Sequence, residues 1–325
     1  MIAIVLIAIA AGCASALMFA SIISGALVSL PLLYFAPLPL MVAALGWGPL
    51  AATIGGIMAA TGLGVIFGLP FCIAFAVMMA LPAWWLGHLA LLGRPITNGV
   101  SSGNGASSAA PALEWYPVGR ILLWIAGFAV LTTMATLLTF GTDAATITET
   151  LRAGLLRILG PRVAASGDEI AQRIDAVVMI APAAAANSTM TMLTLNLWLA
   201  ARIAATSGRL HRPWPDLKST DLPPMTLAAL SVAIAFCFSG GLLAILAQTV
   251  AAALLMTYAL TGFAVLHTLT LGLKSRALWL GATYAIVVVS GGWVILAMVV
   301  LGLADAVFGF RQRYLQRRPP PLPVS

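Results

Sequence analysis

No lysine or arginine occurs before Arg94, and the first carboxylate is that of Glu114. Soluble domains keep about 25% of their residues charged, so a stretch this long without a charge cannot present a wet surface. The bilayer must be its solvent. The rest of the chain agrees, with 62% of its 325 residues hydrophobic and 8% charged. An all-α, polytopic transmembrane helical bundle follows. Only helices and closed barrels satisfy every backbone N–H and C=O in hydrocarbon, and a run of about 20 apolar residues is the length of a spanning helix. The net charge of +7 is confined to loops and the tail. That fits the cytoplasmic excess of Lys and Arg around membrane helices and argues against a nucleic-acid partner.

Apolar segments make up an N-terminal membrane block, residues 1–92. Residues 2–23 read as a first membrane helix, since they lack the positive n-region of a cleaved signal peptide. Gly12, Ala16, Ala20 and Ser24 repeat every four residues, a small-residue face suited to close helix contact. Residues 25–48 hold Pro31, Pro37 and Pro39, which argue against one straight helix. An extended or re-entrant piece followed by a short helix is expected there. Residues 49–68 carry Ala51, Gly55 and Ala59, again small at every fourth position. Residues 70–92 end in Trp84, Trp85 and His88, side chains suited to the membrane interface. Residues 93–118 are rich in Gly, Ser, Asn and Pro and read as a flexible linker.

A C-terminal membrane block covers residues 119–310. Its first span carries Thr132, Thr136 and Thr139 on one face. Residues 141–175 form an amphipathic, non-membrane segment. Thr146–Glu149 and Ser166–Glu169 match the capping box, and Ile147, Leu151, Leu155 and Ile158 share one side of a helix that stops at Gly160-Pro161. A basic loop follows at 205–224, with Arg209, His211, Arg212 and Lys218. Two spans are expected in 225–271, divided near Gly240-Gly241. The apolar stretch 277–310 is interrupted by Ser290-Gly291-Gly292. Residues 311–325 form a basic, Pro-rich tail.

Lys and Arg positions set the orientation. With the N-terminus inside, the linker, the basic loop and the Lys274 turn are cytoplasmic, and 141–175 lies outside. The tail also belongs inside, which requires an even number of crossings. About eight to ten spans are expected. The parity is met if 277–310 breaks at Ser290-Gly291-Gly292, or if 25–46 does not fully cross. The expected location is a bacterial inner membrane, multi-pass, with both termini cytoplasmic.

Little in this chain resembles an active site. It has no phosphate-binding loop, no His-Glu-x-x-His and no Gly-x-Ser-x-Gly. His88, His211 and His267 are scattered, without the spacing of metal ligands. Cys13, Cys72 and Cys237 are isolated within apolar runs and read as small buried hydrophobes. No enzyme, metal or cofactor is expected. Of nine carboxylates only Asp305 lies where it could be embedded, near the last helix's cytoplasmic end, where pairing with Arg311 or Arg313 is expected. An ion-driven pump needs ionisable groups at membrane depth, so an autonomous one is not expected.

Uncharged polarity remains. At 100° per residue, Asn187, Thr191, Thr194 and Trp198 fall on one narrow helix face, with Asn196 pointing the other way. An amide in hydrocarbon must find a partner, so that face should look at other helices or at a water-filled cavity. These four, with Gln248, Tyr258 and His267, are the candidate ligand-binding residues. Read structurally, such polar groups are interhelical hydrogen bonds worth about 0.6 kcal/mol each. Read functionally, at least two polar stripes converge on a small ligand.

Phe35-Ala-Pro-Leu-Pro-Leu40, then Gly46-Trp47-Gly48 and a small-residue helix, resemble the YybS-like family of predicted bacterial membrane proteins. So do Tyr258 with Gly262, and Leu301-Gly-Leu-Ala-Asp305 running into Phe310-Arg311. That family is a domain of unknown function, grouped by fold with the substrate-binding S components of energy-coupling-factor vitamin transporters and with the cell-shape protein MreD. The resemblance implies an S-component-like core with extra helices and carries over no catalytic residues. Two functions are in view. One is small-molecule binding or transport, with energy from a partner. The alternative is a membrane scaffold or assembly protein of the cell envelope. It would offer Arg311, Arg313, Arg317, Arg318 and the basic loop to a cytoplasmic or membrane protein, or to anionic lipid.

Overall fold

A computed structural model describes residues 2–95, 113–160, 168–216, 220–290 and 292–316. The chain is an all-α polytopic membrane bundle. Among the described residues seven helices are long and apolar enough to span, and an eighth span is present if the bent pair Trp293–Phe308 and Phe310–Gln316 is taken as one. Two compact units divide the chain. The first comprises Met1–Ile121 with Met192–Pro215, the second Leu122–Thr191 with Asp216–Ser325. The linker at 93–118 falls within the first unit's range.

In the first unit, α1 (Ile2–Ala20) ends in a 3-10 turn at Ser21–Ser24. Helices α2 (Ser29–Phe35) and α3 (Leu38–Trp47) follow. The expected extended piece is therefore helical. Its prolines fall where helices begin: Pro31 in the first turn of α2, Pro37 at the cap of α3 and Pro39 in its first turn. A missing N–H is harmless there, because first-turn N–H groups have no partner within the helix.

Single glycines then join the helices. Gly48 (φ 94°) connects α3 to α4 (Pro49–Phe67), and Gly68 (φ 93°) connects α4 to α5 (Leu69–Phe75). A residue with a side chain rarely adopts that backbone conformation. Helix α6 (Leu81–Leu91) continues α5 through a π-helical turn at Ala76–Ala80. Pro82 explains the turn, since it removes the N–H owed to the Met78 carbonyl and its ring crowds that carbonyl.

Helices α1 and α4 meet through glycine. A Cβ on Gly12 would strike the Gly55 carbonyl, and one on Gly55 the Ala8 carbonyl. The small stripe on α4 is buried as expected at Ala51, Gly55 and Ala59. On α1 the buried stripe is Ala8, Gly12, Ser15 and Phe19, which replaces the expected Gly12–Ala16–Ala20–Ser24 face. A strict four-residue repeat drifts about 40° round the helix at each step, so only its first member stays in the contact.

The second unit takes α7 (Val118–Phe140) from Leu122 onward, α8 (Ala144–Leu159), and the part of α9 (Asp168–Thr206) up to Thr191. Then come α10 (Met225–Phe236), α11 (Gly241–Leu269), α12 (Arg276–Ser290), α13 (Gly292–Phe308) and α14 (Phe310–Gln316). The expected division at Gly240-Gly241 is present, while the expected break at Ser290-Gly291-Gly292 centres on Gly291, which lies outside the described residues. A short antiparallel pair, β1 (Gly93–Pro95) with β2 (Leu113–Trp115), closes the linker ends. There Arg94 and Glu114 are 2.6 Å apart. The linker's interior, residues 96–112, lies outside the described residues, as do the Ser166 capping box and Lys218.

Helix α8 starts two residues before Thr146. Its cap is Asp143, whose carboxylate accepts from the Thr146 backbone N–H at 2.9 Å and the Thr146 hydroxyl at 2.7 Å. These bonds, the backbone one first, hold its pKa below the ordinary 3.8. The folded value is depressed, so the cap stabilises fully above the ordinary value and is lost as pH falls through the folded one. Hydrogen exchange of the amides at 145–148 should therefore accelerate on acidification below about 3.8, beyond the intrinsic rate. Asp143→Asn should remove that acid step. Exchange with the same pH profile in both proteins would show that Asp143 does not hold the helix end. Of the expected apolar side of α8, Ile147 is fully buried and Leu151 and Leu155 partly so, while Ile158 is exposed.

Candidate ligand cavity

In the second unit α11 and α13 approach closely through two glycines. A Cβ on Gly262 would run into the Met298 carbonyl, and one on Gly302 into the Tyr258 carbonyl. Helices this close leave no room for side chains above the contact. The chain then turns sharply. At Gly309 (φ 65°) α13 gives way to α14, which leaves at 64°.

Asp305 and Arg311 fix this bend. The Asp305 carbonyl accepts from Gly309 N–H at 2.7 Å. Its carboxylate accepts from the Arg311 backbone N–H at 2.8 Å and from Arg311 Nε at 2.6 Å. The remaining guanidinium nitrogens donate to the Thr220 carbonyl at 2.7 Å and to Asp221 at 3.0 Å. Arg311 thus ties α13, α14 and the segment before α10 together. Both members of the pair are about 95% buried (5% and 6% side-chain exposure), whereas Asp221 is largely exposed. The pairing anticipated for Asp305 is therefore made, with Arg311 as the partner.

The bend opens a cavity of about 720 Å³. Tyr258 and Thr261 line it from α11, Gly302 and Asp305 from α13, Gln312 and Arg313 from α14, and Asp221 from the preceding segment. Two carboxylates face two guanidinium groups, so its formal charge balances. A guanidinium carries five N–H groups, and Arg311 gives three to these contacts. Among the described residues no group of three or more His, Cys, Asp or Glu could hold a metal ion.

The candidate residues do not converge. Tyr258 borders this cavity. Gln248 borders a smaller one of about 260 Å³, with Asp175, Pro182 and Ile147. His267 faces Tyr284 of α12, Nε2 to hydroxyl 2.8 Å. Thr191 is exposed and its hydroxyl donates to the Asn187 carbonyl at 2.8 Å. Trp198 is 50% exposed. Asn187 and Thr194 are half-buried, and Asn187 Oδ1 and Thr194 Oγ1 find no partner among the described residues.

The expected inward face of α9 is mixed: the polar atoms Asn187 Oδ1 and Thr194 Oγ1 are buried, Thr191 and Trp198 are exposed, and the fully buried side runs through Ala186, Met190, Leu193, Ala200 and Ala204. A hydroxyl that bonds the carbonyl one turn back needs no partner elsewhere, so threonines mark a buried face poorly. Thr132, Thr136 and Thr139 do the same, donating to Phe128, Thr132 and Thr136 carbonyls.

Asn196, read from the sequence as pointing away, is the residue the fold uses. It is fully buried in the first unit. Its amide donates to the Tyr34 carbonyl at 2.8 Å and to the Met192 carbonyl at 2.7 Å. Tyr34 lies in the last turn of α2, just before the chain restarts as α3.

The basic loop is partly committed to the fold. Arg212 donates to the Ala90 and Tyr116 carbonyls at 3.1 and 3.0 Å, and burial pulls its guanidinium pKa below the usual arginine value. Arg209 lies 4.6 Å over the Trp47 ring and Arg202 lies 5.2 Å over Trp214. In the tail Arg311 is buried and not on offer to a partner, and Arg313 is exposed. Arg317 and Arg318 lie outside the described residues. Comparison with protein-family models, with curated proteins and with solved structures gives no match.

Proposed function

We propose that this multi-pass membrane protein binds a small, overall neutral or zwitterionic molecule in the cavity at the bend of its last span. The observation carrying this reading is the buried Asp305–Arg311 pair in the lining of a cavity of about 720 Å³. Burying two ions costs several kcal/mol each before pairing, and pairs of this kind mark ligand pathways in membrane helices. Interrupted helices line binding sites in many transporters. The chain carries no nucleotide-binding loop, so transport on this reading draws its energy from a partner. The YybS-like resemblance and the S-component-like core belong to the same proposal, with a bacterial inner membrane and cytoplasmic termini.

Purified full-length protein in detergent, titrated with amino acids, vitamins and related zwitterions, should give saturable binding. Tyr258→Phe and Gln312→Ala should each weaken it by about 10-fold, the equivalent of one hydrogen bond at about 1.4 kcal/mol. Absence of saturable binding across the panel overturns the proposal. So does binding that both variants leave unchanged.

A further inference from the structure

The first unit carries all its formal charge in a few positions. It holds Arg94, Arg120, Arg202, Arg209 and Arg212 and a single carboxylate, Glu114. Arg94 takes that carboxylate, and Arg212 is spent on two backbone carbonyls. Arg120, Arg202 and Arg209 are exposed and have no hydrogen-bond or ion-pair partner among the described residues. Exposed and without a fixed counter-charge in the unit, they are available to an anion from outside it.

Contacts place these groups at one end of it. Arg202 is in the last turns of α9 and Arg120 in the first turn of α7. Arg209 reaches the last residue of α3, and Arg212 joins the end of α6 to the residues before α7. Trp47 and Trp214 lie at the same end, beneath Arg209 and Arg202, and indole side chains sit at headgroup level. The other end, where α1 turns into α2 and α4 into α5, has no charged residue. Its serine hydroxyls bond inward: Ser29 donates to the Ser21 carbonyl at 2.7 Å and Ser21 to the Met18 carbonyl at 2.7 Å. Leu27 and Val65 stand there more than 80% exposed.

We infer that the first unit binds anionic phospholipid headgroups at its basic end, through Arg202 and Arg209 seated on the rings of Trp214 and Trp47. The stacked guanidinium keeps its edge for the phosphate, and the indole beneath orients it. Arg120 adds charge without a seat. The surface is one-sided, so it selects lipid in one leaflet. This inference does not depend on the cavity of the second unit.

The test uses full-length protein in nanodiscs of phosphatidylcholine and phosphatidylglycerol, with lipids that stay bound counted by native mass spectrometry. Phosphatidylglycerol should be enriched over its bulk fraction, and Arg202→Gln/Arg209→Gln should remove at least about half of that enrichment. Arg202→Lys/Arg209→Lys, which keeps the charge but loses the planar stacking, should fall between. Arg157→Gln/Arg173→Gln removes the same charge from the second unit and should leave the enrichment in place. Both sites are exposed, so an unchanged melting temperature verifies folding. No enrichment would point to an acidic protein partner instead and overturns the inference. Equal loss in both double variants does so too, as does displacement by soluble glycerol phosphate.

Discussion

Arg311→Leu should be among the most damaging single substitutions in the second unit. It strands the Asp305 carboxylate, about 95% buried, and removes the donor to the Thr220 carbonyl. Removing one partner of a buried ion pair costs about 3–5 kcal/mol. The melting temperature of the detergent-solubilised protein should fall sharply. The double variant Asp305→Leu/Arg311→Met should recover most of the loss, because apolar side chains of similar volume often replace a buried pair at no net loss. That recovery separates a pair kept for its ligand from one kept for stability. A stable double variant that has lost binding assigns the pair to the cavity. An Arg311→Leu protein that melts with the parent would mean the charges are hydrated and the bend is held by other contacts.

Gly302→Val should be comparably severe. The Cβ alone collides with the Tyr258 carbonyl, which is backbone and cannot rotate away. Overpacking costs about 1–3 kcal/mol where side chains can adjust, and two helix backbones have less room to do so. Gly262→Val meets the Met298 carbonyl and should behave alike. Gly281 provides the contrast, since nothing lies near the Cβ it would gain. Gly281→Ala in α12 should be neutral or gain up to about 1 kcal/mol from helix propensity. If all three substitutions melt alike, α11 and α13 do not meet through glycine in the bilayer.

Much of the architecture was legible in the sequence, because apolar length and glycine-proline punctuation are local signals. The breaks at Gly48, Gly68 and Gly240 are examples, as is the Ala51–Gly55–Ala59 contact. The Asp305–Arg311 pair could be anticipated because its members lie six residues apart. The bend between them had a signal too, Gly309 next to a run of basic residues, yet apolar length suggested continuity through Phe310. Asn196 could not be read. Its partner is a backbone carbonyl 162 residues earlier, and carbonyls have no sequence signature. The α9 face misled for a different reason. Side-chain polarity suggests a need for partners on other helices, but hydroxyls at Thr191 and Thr136 find theirs one turn back in the same helix. That Gln248, Tyr258 and His267, all on α11, end in three different surroundings depends on what packs against each turn, which the sequence of one helix does not contain.

The one-residue connections at Gly48 and Gly68 bear on how the chain enters the membrane. From Ile2 to Leu91 there is no Lys or Arg for an insertion machine to read for direction, and the next one along the chain is Arg94. With no loop between neighbours, α4 cannot be turned over without taking α3 and α5 with it. Sidedness for these helices is thus set jointly, not loop by loop. Moving a lysine into one of those hinges should therefore invert or scramble the whole group, not a single member.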